Sequence, residues 1–226
     1  MKRFFALTLA LMLMISMVAC TGGNTEQAFT VSQQAFDQVN EAYMQVNTFS
    51  KDIYEAWHLG VNNSRYGCDF DEFVKEMYID RQYIEQAVAQ LSSQDSFSSS
   101  AWSSLHYSFN NSRFSAYVTV ISTAYECSGD VEKIATLLTE AKLLMKQLSS
   151  EYSDYEHYPA LKTYFTNTLA FFDFCKNPEG SFEQVVETFN GYRNVARECF
   201  FELNYIFSDD IGGMDDIQKD DTASEA

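Results

Sequence analysis

Between Phe36 and Trp57 an apolar residue returns every three or four positions. Phe36, Val39, Tyr43, Val46, Ile53 and Trp57 carry the pattern, with Phe49 beside the polar Ser50. That spacing lines one face of an α-helix. It predicts a single amphipathic helix over about residues 26–60, roughly 50 Å long at the standard rise. A stripe of that length has to be buried against other elements, and no stretch of the chain alternates with the two-residue period of a strand.

Shorter stripes follow. Phe70, Phe73 and Met77 lead to a break near Asp80, after which Ile84, Ala87 and Leu91 resume the period. Trp102, Leu105, Phe109, Tyr117, Val120 and Ala124 predict a further helix; Ile134, Leu137, Ala141, Leu144 and Leu148 another; Leu161, Phe165, Leu169 and Phe172 another. The last runs through Phe182, Val185, Phe189, Tyr192, Ala196, Cys199, Leu203 and Ile206. Pro159 suits a first helical turn, and Ser181 with Gln184 forms a capping box for the last helix. Gly60, Gly67, Gly129 and Gly180 fall in predicted turns. These signals predict an all-α fold: a single-domain antiparallel bundle of about five to six helices over residues 26–207.

Composition agrees with a packed domain. Hydrophobic residues make up 46% and aromatics 15% of the 226 positions, too apolar for a disordered chain. The formal charge of -17 argues against nucleic acid, whose phosphates such a surface repels. Residues 209–226 hold Asp pairs at 209–210, 215–216 and 220–221. They lack the ligand order and closing Glu of an EF-hand, so an acidic disordered tail over 208–226 is expected rather than a calcium site.

The first twenty residues carry the most specific signal. Lys2 and Arg3 precede an uncharged run over residues 4–20 rich in Leu, Met, Phe and Ala, the plan of an export signal. At its end, Met17-Val18-Ala19-Cys20 resembles a bacterial lipobox, the site recognised by lipoprotein signal peptidase. Met17 stands where Leu is usual. The resemblance covers residues 1–20 alone. It implies a signal peptide over 1–19, cleavage after Ala19, acylation of Cys20, and a short polar tether over 20–25. Two or three acyl chains hold a protein stably at a membrane, whereas one is marginal. The implied location is the extracytoplasmic face of a bacterial membrane, with the outer membrane open in a double-membrane cell.

Chemistry is sparse in the body. Glu55 and His58 have the Glu-x-x-His spacing of di-iron bundles, but no second such pair occurs. The third and second histidines, His157 and His106, form no closely spaced ligand set. No metal site, cofactor or catalytic residue is expected. Phosphate-loop, nucleophile-elbow and Cys-x-x-Cys motifs are absent from the sequence. Four cysteines remain beyond Cys20. Free buried thiols are favoured over a bridge; if one forms, Cys68–Cys127 is the first choice. With helices alternating in direction, the turns near 61–68, 128–130 and 177–180 share the end far from the membrane. Cys68, Cys127 and Cys175 then cluster there, while Cys199 does not.

Tyr152, Tyr155 and Tyr158 form the least core-like aromatic group and are the candidate binding surface. Residues 58–66 also resemble residues 106–114 at an offset of 48, read as chance similarity in Ser/Asn-rich sequence. Two function classes remain. The first is a lipid-anchored binding or interaction protein of the cell envelope, whose partner is an envelope protein or a small ligand. The second is an extracytoplasmic enzyme whose site carries no motif. A two-lobed solute-binding lipoprotein fits poorly, because no βαβ pattern occurs.

Overall fold

A computed structural model describes residues 23–62, 68–108 and 113–207. The expected signal peptide (1–19), Cys20 and the tail beyond 207 lie outside them. The described residues form eight helices and no strand: α1 (Gly23–Asn62), α2 (Phe70–Lys75), α3 (Arg81–Leu91), α4 (Ser99–Ser108), α5 (Arg113–Ser128), α6 (Asp130–Glu151), α7 (Tyr158–Lys176) and α8 (Phe182–Phe207).

The stripe on α1 is the spine of the core. Ala35, Phe36, Val39, Tyr43, Val46, Phe49, Ile53 and Trp57 are all buried. α5, α6, α7 and α8 all pack against it. One connected core runs from Val31 on α1 to Phe207 on α8, so the bundle is a single domain.

Helix ends follow their local signals. Ser181 and Gln184 close the capping box on α8: Ser181 N–H donates to Gln184 Oε1 at 2.8 Å, and Gln184 N–H to Ser181 Oγ at 3.3 Å. Pro159 sits in the first turn of α7, where its missing N–H costs nothing. α1 begins at Gly23, so residues 23–25 of the expected tether are helical, with Glu26 in the first turn facing the positive end of the helix dipole.

The helices outnumber those read from periodicity chiefly because the stripe from Trp102 to Ala124 is divided between α4 and α5. Asn110, Asn111 and Ser112, between them in sequence, are poor helix formers. Both members of the 48-residue similarity therefore overlap helix ends, α1 and α4, and the second does not lie within a helix as expected.

One turn is not the expected reversal. On α5, the Tyr125 ring stacks on Phe49 at 4.2 Å, level with the upper half of α1. On α6, Lys133 reaches Glu41 at 3.2 Å and Gln38 reaches Glu140 at 3.2 Å. Beyond α6, Tyr152 reaches Gln27 at 3.1 Å. The partners on α1 fall steadily in number, so α5 and α6 descend alongside it in the same sense. Gly129, at φ +84°, joins them without turning the chain back. α7 climbs, pairing Tyr164 with Asn40 and Phe171 with Tyr43. α8 descends from Phe182 beside Trp57 to Phe207 beside Phe29. Of the three expected distal turns, 177–180 keeps its place near the top of α1, while 61–68 falls largely outside the described residues and Gly60, expected in a turn, lies within α1. The third lies halfway down, and it takes Cys127 with it.

Candidate functional site: a groove beside a buried carboxylate

The side of the bundle is stepped where α2 ends. The chain leaves α2 at Lys75, crosses α1 as an irregular loop over residues 76–80, and enters α3 at Arg81. What fixes the loop is Asp52, a carboxylate inside the apolar stripe of α1 with no solvent exposure. Its Oδ1 accepts Tyr78 N–H at 2.7 Å. Its Oδ2 accepts Ile79 N–H at 3.0 Å and the Tyr125 hydroxyl at 2.8 Å. Two loop amides that would otherwise be orphaned and one buried phenol are thereby satisfied by a single side chain. Burial pushes the Asp52 carboxyl up to about 6, against the three donors that favour its ionised form; nearby Glu55 adds to the rise. The Tyr125 hydroxyl is raised too, by burial first and by the Asp52 charge second.

Outside this clamp lies an open groove of about 420 Å³. Met44, Gln45 and Thr48 of α1 form one wall. Tyr78, Ile79, Asp80 and Tyr83 form the other, and Tyr125, Asp130 and Lys133 close the end. Met44 is 41% and Tyr78 64% exposed, so both present apolar surface along the groove. Lys51 Nζ stands over the Tyr78 ring at 5.7 Å. Lys133 is held by Glu41, and Asp130 accepts the Ser128 hydroxyl at 2.7 Å. Gln45 donates to Glu41 at 3.2 Å, but its Oε1 is shielded from solvent and has no hydrogen-bond partner among the described residues.

The residues singled out from sequence lie elsewhere. Tyr152 and Tyr155 sit in the α6–α7 connection at the foot of the bundle and Tyr158 opens α7, each half-buried against the core. His157 there meets Tyr155 edge-on at 5.4 Å and Phe207 at 6.3 Å. Glu55 and His58 form a loose surface pair at 4.0 Å, the imidazole lying over Tyr54 and Phe182. No cluster of His, Cys, Asp and Glu fit to hold a metal occurs among the described residues.

All four body cysteines are free thiols. Cys68 is buried, contrary to the open-loop position its Gly-Cys-Asp context predicts. Its N–H donates to the Tyr117 hydroxyl at 2.7 Å, and its carbonyl accepts Trp102 Nε1–H at 3.0 Å. Burial and Glu72 push its thiol up to about 12. Cys127 is half-buried and donates to Gln90 Oε1 at 3.7 Å; burial raises it, as it does Cys175 and Cys199. Thiols held protonated in this way are weak nucleophiles and act as small packing groups.

No family model, curated protein or solved structure matches the chain. The site is therefore read from its own geometry. Sequence reasoning missed both Asp52 and the groove. Asp52 had a visible signal: an acid between Phe49 and Ala56 on the buried face of a long stripe. The groove had only the break at Asp80, because α6 reaches Met44 through a junction that periodicity does not orient.

Proposed function

We propose that the chain is a lipid-anchored, extracytoplasmic interaction protein of the bacterial cell envelope, tethered through acylated Cys20 and meeting its partner in the groove between α1, residues 76–80 and α6. The observation that carries this reading is Met17-Val18-Ala19-Cys20 at the end of an uncharged run behind Lys2 and Arg3. The body is consistent with it in two respects. No helix of the described residues is long and apolar enough to cross a membrane, so attachment falls to the N-terminal segment. The groove lies about 30 Å along α1 from Gly23, clear of an anchor three residues before that helix. Asp52 spends its acceptor sites on the loop and on Tyr125, which suits a clamp rather than an acid or base turned toward a substrate.

Metabolic labelling with an alkyne fatty acid in a bacterial host tests the anchor. The wild-type chain should carry label and sediment with membranes, and Cys20→Ser should be unlabelled and unprocessed. Label that persists in Cys20→Ser overturns the assignment. A photoreactive residue at Tyr78 should crosslink a discrete envelope partner in the same cells, whereas one at Leu143, also exposed but outside the groove, should not.

A further inference from the structure

The chain is acidic, with 32 carboxylates against 15 basic side chains, but its charge is unevenly spread. Residues 141–150 of α6 and the stretch 157–172 leading through α7 contain no Asp or Glu. Lys142 and Lys146 lie in the first stretch and Lys162 in the second. All three are exposed, and none forms an ion pair with a described residue. The acids that bracket the two stretches are engaged or stand at the foot. Glu140 accepts from Gln38, Glu151 accepts from Gln147 at 3.1 Å, and Asp173 pairs with Lys176 at 2.8 Å. Glu156 lies in the α6–α7 connection.

Helix geometry puts the three lysines on one side of the bundle. Lys142 and Lys146 are one turn apart and share a face of α6. That face is turned away from α1, whose side of α6 is marked by Lys133 at Glu41 and Glu140 at Gln38. On α7, Asn167 marks the side of α8 by reaching the Tyr192 carbonyl at 2.9 Å, and Lys162 lies on the opposite flank, toward α6. Heights agree as well. Glu140 meets Gln38 and Tyr164 meets Asn40, and Lys142 and Lys162 each lie just below those markers.

The chain holds the opposite charge close by. Residues 208–226, outside the described residues, carry six aspartates and Glu225 against Lys219. They follow Phe207, whose ring lies 6.3 Å from that of His157, the residue before α7. From there Lys162 is about 7.5 Å further along the helix. The Asp pair at 215–216 is up to about 28 Å of extended chain beyond Phe207, enough to reach Lys142 and Lys146. Asp154 and Glu156 at the foot repel an acidic segment and favour its passage upward. One exposed ion pair is weak, but several on a tethered segment act at a local concentration on the order of millimolar.

We propose that the acidic segment 208–226 folds back over the α6–α7 face and is held there by Lys142, Lys146 and Lys162, as a salt-labile cover that any other anionic partner of this face has to displace. The proposal goes beyond the reading of the chain as an anchored interaction protein and does not depend on it.

The test uses the full chain in a neutral detergent, treated with a carbodiimide, which joins an amine to a carboxylate in contact with it. Lys133 with Glu41 and Lys176 with Asp173 should appear as internal controls. Carboxylates of residues 209–225 should be joined to Lys142, Lys146 and Lys162, and about 0.5 M salt should suppress these products. Mixed ¹⁴N and ¹⁵N chains should show that they form within one chain. A second measurement reads the lysines directly. Changing the six aspartates of 208–226 to asparagine should raise acetylation of Lys142, Lys146 and Lys162 about two-fold and leave the exposed Lys75 unchanged. Carboxylates of the segment joined to Lys75 as often as to these three, products formed only between chains, or unchanged acetylation overturns the proposal. So does shielding of the three lysines that appears only with phosphatidylglycerol vesicles, which assigns the face to anionic lipid. Loss of the Cys20 label or of the Tyr78 crosslink would remove the anchored-interaction reading and leave this assignment standing.

Discussion

Asp52 joins three parts of the chain that are far apart in sequence: the middle of α1, the 76–80 loop and the end of α5. Its proton makes the joint sensitive to pH. The carboxyl is raised to about 6 in the folded protein, whereas in the unfolded chain it returns to the ordinary value of 3.8. The folded state therefore binds the proton more tightly. Its stabilising effect is full below the unfolded value, is lost as pH rises through about 6, and is constant above that. A two-unit rise corresponds to roughly 3 kcal/mol across the window. We expect urea unfolding to give a free energy that declines from about pH 4 to about pH 6.5. Asp52→Asn should flatten much of that decline because the amide does not titrate, while lowering stability at every pH, since one oxygen replaces two and its NH2 faces a donor of the clamp. An unchanged slope in Asp52→Asn would assign the pH dependence to other carboxylates. Asp52→Ala should be the worse substitution by about 2 kcal/mol, since it leaves two amides and a phenol without their acceptor.

At the scale of the elements, two glycines separate backbone geometry from helix propensity. Gly129 joins α5 to α6 at φ +84°, and an added Cβ there would touch nothing within 4 Å. Any cost of Gly129→Ala is therefore conformational, about 1 kcal/mol. Gly191 lies exposed within α8, also with open space around an added Cβ, and its backbone is helical. Gly191→Ala should stabilise by about 0.5–1 kcal/mol. Thermal melts of the two variants should move in opposite directions; a shared direction would show that one of the two backbones is misassigned. The same pair shows what was legible in the sequence. The boundary at Ser181 is written in four consecutive residues, and a capping box needs no distant partner to form. Pro159 is local in the same sense. Gly129 announces a helix end just as clearly, but the direction of the next helix is set by Lys133 at Glu41 and Tyr152 at Gln27. Those pairs span most of a hundred residues or more, and no local rule reports them. The groove inherits that difficulty, since Asp130 and Lys133 come beside Met44 only if α6 continues downward. Asp52 was legible as an acid out of place on an apolar stripe, but its partners at Tyr78, Ile79 and Tyr125 were not.

The whole molecule is organised around α1. Its lower half packs against rings supplied by the end of the chain: Phe36 meets Tyr164, Phe200 and Phe207, and Tyr43 meets Tyr164 and Phe171. A chain ending at Ser153 lacks every one of these partners while keeping α1 to α6. We expect it to bind a hydrophobic dye and to melt without a cooperative transition, despite retaining helical circular dichroism. A sharp melt in that truncated chain would mean that α1 to α6 form an independent unit. The arrangement also sets the order of events during synthesis. α1 is made first, and its core face is covered last, by α8. Helices that pack only on their sequence neighbours close quickly, whereas a contact such as Phe36 with Phe207 has to wait for nearly the whole chain. Until then the lower end of the stripe lacks the rings that cover it in the finished fold. An apolar face left open for that long makes the unfinished chain prone to aggregate, so the cost of a spine laid down first falls on the time before the last helix arrives.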